Sequence, residues 1–331
     1  MALMQQGTLP PVSVVIIGRN EADNIKECIM SAKEMDYPQE LLEIIYVDTG
    51  STDGTQDIAR TAGINVVVVS SPAPSAALAR NTGLKESNHQ IIHFVDGDMT
   101  IDPGYLIKAV TRLSGSDMGS VIGRVIERHA DTNWISRMLN IDWKKKEEGY
   151  ISAPGGGGTF IRAALEKIGG YNSALPMAEE TDVGIRLGSA GYRIYLINDV
   201  MAAHDYGVKS LWELIKRFYA SGKGRFRILV CDNVPPEIRK WSWSLPKQAA
   251  AAIAAISLLL LSGYTYAIII LLLSYPVIYL PRVVISDWKN IVTRKFGMDA
   301  FLYTYTYGLM KPVILLGMIR ESVVYAVKRL Q

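Results

Sequence analysis

A chain of 331 residues is long enough for one sizeable domain with an appendage, or for two modest domains. Its 35 Lys and Arg against 32 Asp and Glu leave a formal net charge of +3, too small a bias to argue for nucleic acid as a partner. Two cysteines, Cys28 and Cys231, exclude a disulfide framework and fit a reducing compartment.

Residues 1–11 lack both a basic start and an apolar core, so no secretory signal is expected and the N-terminal part is placed in the cytoplasm. Residues 12–17 are a β-branched run, followed by a helical pattern with Ile25, Cys28, Ile29 and Ala32 on one face. Residues 42–47 predict the next strand, with a helix after Gly54. Residues 66–69 predict a third strand, after a helix stop at Gly63. Ser75 is expected to cap a helix through Lys85, and residues 91–95 a fourth strand. Strand and helix in alternation predict a parallel sheet wound with helices on both faces.

Past Asp98 the alternation weakens. A strand is expected over 120–127 and a helix-like stretch over 132–148. A glycine run follows at 154–158, then a short helix over 162–168 and a helix over 179–190 stopped by Gly191. Residues 208–230 mix apolar, aromatic and basic side chains, the pattern of an amphipathic helix on a membrane surface.

Composition then changes abruptly near Pro246. Residues 249–261 and 264–285 are largely apolar, so two membrane crossings fit between Leu245 and Ile285 if Ser262-Gly263 turns tightly. Trp241, Trp243, Tyr264, Tyr266 and Tyr279 sit near the ends, as interfacial aromatics do. Basic residues flank both sides, which puts both on the cytoplasmic face. Arg217, Lys223, Arg225 and Arg227 are read first as part of that topology signal. Residues 301–324, interrupted by Lys311-Pro312 and closed by Arg320-Glu321, fit a third span, a re-entrant hairpin or an interfacial helix.

Three acidic stretches carry the chemistry. Asp48 opens the first, within Val47-Asp48-Thr49-Gly50-Ser51-Thr52-Asp53-Gly54, and Asp96-Gly97-Asp98 forms the second. Both follow β-branched runs and so belong at the carboxyl edge of a sheet, where ligands bind in open α/β folds. Two carboxylates one residue apart suit a shared Mg²⁺ or Mn²⁺, or one takes the metal and the other a ribose hydroxyl. An ordinary solvent-facing turn is the plain alternative. The third stretch, Glu179-Glu180-Thr181-Asp182, offers a general base, or simply acidic residues that complement a helix dipole. The glycine run lacks the Gly-Lys-Ser/Thr of a P-loop and reads as a close-approach floor for ligands.

Val14-Val15-Ile16-Ile17-Gly18-Arg19-Asn20-Glu21, the Asp48 stretch, Ala79-Arg80-Asn81-Thr82-Gly83, Asp96-Gly97-Asp98, and the segment from Gly156 to Tyr171 with Glu179-Glu180-Thr181-Asp182 together resemble the family 2 glycosyltransferases of GT-A fold. The resemblance spans about residues 11–204. It implies an α/β, Rossmann-like mixed sheet with helices on both faces, followed by C-terminal transmembrane helices. The domains implied are a cytoplasmic GT-A unit at 1–207, an interfacial helix and linker at 208–245, and a membrane domain at 246–331. It further implies a nucleotide-sugar donor held by Glu21, Asp48, Arg80, Asp96 and Asp98. Asp98, with Asp96 and His204, would hold Mg²⁺ or Mn²⁺. Glu180 matches the base position, where the family usually has Asp, so Glu179 and Asp182 remain alternatives. Thr49 and Gly18 also depart from the family pattern. The reaction implied is an inverting single displacement onto a lipid-linked or other saccharide acceptor, by a multi-pass protein of the inner cell membrane; a homo-oligomer is left open. Two rivals are a polyprenyl-phosphate glycosyltransferase, which needs no base, and a catalytically silent nucleotide-sugar-binding scaffold.

Overall fold

β1 (Val12–Gly18) is buried along nearly its whole length in the computed structural model, which describes residues 8–113, 117–130, 132–140, 147–208, 210–231, 234–261 and 305–330. A run such as Val-Ser-Val-Val-Ile-Ile can be sealed on both faces only by parallel neighbours and covering helices. It therefore sits in mid-sheet, parallel to β2 (Leu42–Asp48) on one side and to β4 (Ile91–Asp96) on the other. β3 (Asn65–Val68) adds outside β2. The intervening helices are α1 (Ile25–Lys33), α2 (Thr55–Thr61) and α3 (Ala76–Glu86). Ile25, Cys28, Ile29 and Ala32 form the buried face of α1, at helical spacing. Ser75 caps α3 by accepting the Leu78 N–H.

Beyond β4 the sheet ceases to be parallel. β5 (Met99–Ile101), α4 (Tyr105–Arg112), β6 (Met118–Glu127), β7 (Gly149–Ile151), β8 (Gly158–Ile161) and β9 (Arg193–His204) complete the order β3-β2-β1-β4-β8-β6-β9-β5, with β7 paired to β9. β8 runs antiparallel to both β4 and β6, so the parallel pairing expected of the first four strands holds for β1 to β4 and the whole sheet is mixed, as the family resemblance implies. The last residue of the glycine run, Gly158, begins this short strand, to which the sequence reading gave no element. β9 pairs in parallel with β6, and its last residues pair antiparallel with β5, which sets His204 opposite Met99. Of the expected helix over 132–148, α5 (Trp134–Leu139) is present, and β7 already begins at Gly149; residues 141–146 are outside the described residues. α6 (Arg162–Lys167) and α7 (Glu179–Ser189) follow. Val15, Ile17, Ile45, Val47, Phe94 and Phe160 from four strands share one core with Val183 and Leu187 of α7.

The chain forms two compact units, residues 1–128 with 146–206, and residues 129–145 with 207–331. The segments expected as an interfacial linker and a membrane domain thus fall together. In the second unit, α8 (Leu211–Val230) opens with a capping box between Ser210 and Glu213, and α9 (Pro236–Leu261) runs unbroken through Pro246. α10 (Lys311–Leu330) is continuous, so Lys311-Pro312 starts a helix and Arg320-Glu321 does not close it. Glu321 is buried because it accepts a hydrogen bond from Arg227 Nε of α8, at 2.8 Å. α8 and α10 meet at glycines: a Cβ on Gly222 would strike the Ile314 carbonyl, and one on Gly317 the Tyr219 carbonyl. Leu245, Ile314 and Met318 form the small core beside them. Among the described residues no helix is long and apolar enough to cross a membrane. The expected turn at Ser262-Gly263, the apolar stretch 264–285 and residues 301–304 lie outside the described residues.

Candidate active site

Register brings the two acidic strand ends together. Gly18, the last residue of β1, lies opposite Asp48 of β2, and Ile17 lies opposite Asp96 of β4. At this edge a cavity of about 360 Å³ is lined by Gly18, Arg19, Glu21, Thr49, Ser75, Arg80, Asp96, Asp98, Glu179 and Glu180, among others. The loops after β1 and β2 are laced to each other. Asn20 N–H donates to Ser51 Oγ at 2.8 Å, Glu21 N–H to Thr55 Oγ1 at 2.9 Å, and Thr52 N–H to Asn20 Oδ1 at 2.9 Å. Asn20 holds a left-handed backbone (φ 59°), a conformation an Asn accepts more readily than a bulkier residue.

Asp48 is wholly buried and does not line the cavity. Its carboxylate accepts from Gly50 N–H (2.9 Å), Ser51 N–H (2.8 Å), Ser51 Oγ, Tyr46 Oη (3.0 Å) and Gln56 Nε2 (2.9 Å). Burial acts to raise its pKa, but the donors from Ser51, Gly50 and Tyr46 outweigh it, so the group stays below the usual carboxylate range. Its structural work is to hold the loop after β2, where the sequence reading gave it a direct contact with the nucleotide.

Arg80 of α3 is the hub. Its side chain is 2% exposed and ion-paired with Asp96 at 2.9 Å and with Glu179 at 3.0 Å, while Glu180 stands 3.8 Å away. It also donates to the Gly156 carbonyl at 2.6 Å, which ties the glycine loop to the cavity wall. The next residue, Asn81, exchanges hydrogen bonds with the backbone of Tyr171, both at 2.7 Å, fixing the loop that leads towards α7. α7 itself starts from Ala178, another non-glycine in the left-handed region (φ 63°). Strain of this kind persists where the surroundings over-determine the backbone.

The three acids of the third stretch are treated differently. Glu179 is taken by Arg80. Asp182 is buried and bridged to Arg186, which also donates to the Ile168 and Gly170 carbonyls. That pairing withdraws Asp182 from the cavity and makes it a brace for the turn before α7, so the sequence-based place for it among the base candidates is not matched by position. Glu180 remains on the cavity wall; burial, then the neighbouring Glu179, push its pKa well above the ordinary carboxylate range, despite Arg80. Glu21, across the cavity, is pushed up to about 7 by burial and by Asp98.

At the opposite corner, Asp98 Oδ2 is 3.0 Å from His204 Nε2, and the His204 ring packs edge-on against Tyr206, with centroids 4.2 Å apart. Asp98 Oδ1 and His204 Nδ1 are buried without a hydrogen-bond partner. Asp96, by contrast, has its Oδ1 engaged by Arg80. Arg128 supports this corner from behind, donating to the Asp98 carbonyl at 3.3 Å and to Thr100 Oγ1 at 2.5 Å. Among the described residues no three His, Cys, Asp or Glu side chains gather closely enough to hold a metal ion by themselves. Asp98 and His204 fit as a partial set, an unsatisfied carboxylate oxygen beside an imidazole. Mg²⁺ and Mn²⁺ characteristically complete such sets with water and substrate phosphates.

The sequence reading missed Arg128, the brace made by Arg186 and the loop lacing by Asn20, Ser51 and Thr55. Arg128 follows the last residue of β6, and the groups it serves lie 28 and 30 residues earlier in the chain, so it gives a signal only once those partners are known.

The model for Glycosyl transferase family 2 matches residues 13–167. Glycosyltransferase AglE of Haloferax volcanii is 29% identical over 235 residues, covering 69% of this chain and 77% of that protein. Probable glycosyltransferase YdaM of Bacillus subtilis is 30% identical, but the match covers 56% of this chain and only about half (48%) of that protein. Among solved structures, mannosyltransferase PcManGT from Pyrobaculum calidifontis, in complex with GDP-Man and Mn²⁺, superposes with a TM-score of 0.58 at 21% identity, over 95% of this chain and 88% of that one. At that identity the likeness establishes the shared fold.

Proposed function

This chain belongs to glycosyl transferase family 2, and from that premise we propose that it moves a sugar from a nucleotide-sugar to a hydroxyl of a lipid-linked saccharide, with inversion and with a divalent cation. One observation carries the reading: the cavity wall presents the carboxylates Glu21, Asp96, Asp98, Glu179 and Glu180 against only Arg19 and Arg80. A bare nucleoside diphosphate would be repelled there. A diphosphate that arrives with Mg²⁺ or Mn²⁺ is matched, and the unpartnered oxygen of Asp98 with His204 would hold that cation. Bound there, the cation would supply Lewis-acid neutralisation of charge on the departing diphosphate.

The chain's own groups supply the remainder. Arg80 neutralises Asp96 and Glu179 and holds both walls of the cavity at fixed spacing. Glu180 stands 3.8 Å from an Arg80 already engaged at shorter range by Asp96 and Glu179, and with its raised pKa it is suited to accept the acceptor hydroxyl's proton near neutral pH. The laced loops after β1 and β2 shape the nucleotide end, with Thr49 on the cavity wall and Asp48 behind it.

The test is nucleoside diphosphate release by detergent-solubilised protein, with a panel of nucleotide-sugars, Mn²⁺ or Mg²⁺, and extracted lipids as acceptor. Release that needs both cation and lipid supports the proposal. Tight, cation-dependent nucleotide binding with no release under any combination would instead support a silent binding subunit.

A further inference from the structure

Leu316, Ile319, Val323 and Val327 of α10 are 59%, 51%, 57% and 48% exposed, although all are large and apolar. Steps of three, four and four residues place them along one face of the helix. The opposite face is committed to α8 through Gly222, Gly317 and the Arg227–Glu321 pair. Water alone makes such a stripe costly, so it needs a covering partner.

We infer that α10 lies in the plane of an anionic lipid bilayer, with this stripe sunk into the boundary between headgroups and acyl chains. Charge favours that partner. Among the described residues of this unit the carboxylates are Glu213, Glu237 and Glu321, of which the first closes a capping box and the third is buried against Arg227. Exposed Lys216, Lys240, Lys247, Arg320 and Lys328 face solvent in the same unit, a strong basic excess. Anionic headgroups attract such segments. Trp212, Trp241 and Trp243 are also exposed, at 62%, 39% and 46%, and tryptophan favours the headgroup level. A spanning orientation is disfavoured by Arg320 and Glu321, which would put two charged groups at the middle of the hydrocarbon. An in-plane helix leaves Glu321 paired with Arg227 on the α8 side and lets Arg320, beside the stripe, and Lys328 reach the headgroups while the apolar face meets lipid. Of the three arrangements the sequence left open for 301–324, this selects the interfacial one for α10. The inference rests on the helical unit alone and stands or falls apart from the transferase reading.

The experiment uses the full chain with Cys231→Ser and, singly, Leu316→Cys, Ile319→Cys, Val323→Cys or Val327→Cys. Each position is solvent-exposed, and circular dichroism checks that the variants fold. An environment-sensitive fluorophore on each cysteine is read with vesicles of phosphatidylcholine and phosphatidylglycerol that carry spin-labelled lipids at shallow or deep positions. All four labels are expected to gain about twofold or more in intensity and to be quenched equally by the shallow spin label, far less by the deep one. The effect should weaken in vesicles of phosphatidylcholine alone. Quenching depth that rises and falls along the helix would overturn the inference in favour of a span. Water-like emission at every position would overturn it outright. Self-quenching that grows with protein concentration without vesicles would point to a second copy of the chain instead, and equal quenching without anionic lipid would overturn the role given to charge.

Discussion

Asp48 closes β2 and Asp98 follows two residues after the end of β4, at the same edge of the sheet, yet the fold treats them oppositely. Asp48 is saturated by donors from Gly50, Ser51, Tyr46 and Gln56. Asp98 has one oxygen on His204 and the other buried with no partner. A satisfied buried carboxylate organises the chain around it; an unsatisfied one costs stability until something else binds. The contrast separates the scaffold corner of the site from the corner that demands a ligand, and it makes opposite predictions for stability and turnover.

The largest effect should follow Asp98→Asn. Loss of an interaction worth several kcal/mol in the transition state predicts turnover lower by about a thousandfold or more. Thermal stability should hold or rise, because Asp98 is one of the charges that raise Glu21. Diphosphate release and a melting curve on the same preparation read both. Glu180→Gln comes next, with turnover down about 10²–10⁴-fold and nucleotide affinity kept, as for loss of a general base. Near-normal turnover would shift the reading to a lipid phosphate acceptor, which needs no base. Glu179→Gln sharpens the point from the other side, since it breaks the buried pair with Arg80 and should register chiefly as lost stability, of about 3–5 kcal/mol at most.

Asp48→Ala should behave as a scaffold lesion. It strands buried donors at Tyr46 and Ser51 and so should lower unfolding free energy by about 1–3 kcal/mol in a denaturant titration. The contrast breaks if this variant is fully stable while Asp98→Asn is not.

How much of this was legible depended on whether a residue's partners lie near it in sequence. The runs at β1, β2 and β4 declare themselves, because a strand sealed on both faces must be apolar throughout. Ser75 is visible as a cap because its partner, the Leu78 N–H, is three residues on. β8 was hidden by the glycines that lead into it, so the strand that turns the sheet antiparallel could not be placed from the residues, although the family resemblance implied a mixed sheet. Ranking Glu179, Glu180 and Asp182 was beyond sequence, since the choice turns on which arginine each meets: Arg80, 99 residues before Glu179, or Arg186, one turn after Asp182. Arg320-Glu321 looked like the end of an apolar helix because Glu321's partner, Arg227, lies 94 residues away.

A smaller effect concerns pH. Glu21 has a folded pKa of about 7, above its ordinary value of 4.5, and Glu180 shifts the same way. The folded state therefore holds more protons than the unfolded one in that window, and these groups' contribution to stability is lost as pH rises from about 4.5 to 7. The melting temperature of ligand-free protein should fall across that range, and Glu21→Gln should flatten the slope. Smallest of all, Ser75→Ala should cost about 1 kcal/mol through loss of the α3 cap, with the cation requirement unchanged.

The most direct test is calorimetric titration of nucleoside diphosphate into wild-type and Asp98→Asn protein, each with and without Mn²⁺. The account predicts binding to the wild type only when Mn²⁺ is present, and affinity at least about tenfold weaker in the variant. Equal affinity with and without the cation, or an unchanged affinity in the variant, would contradict it.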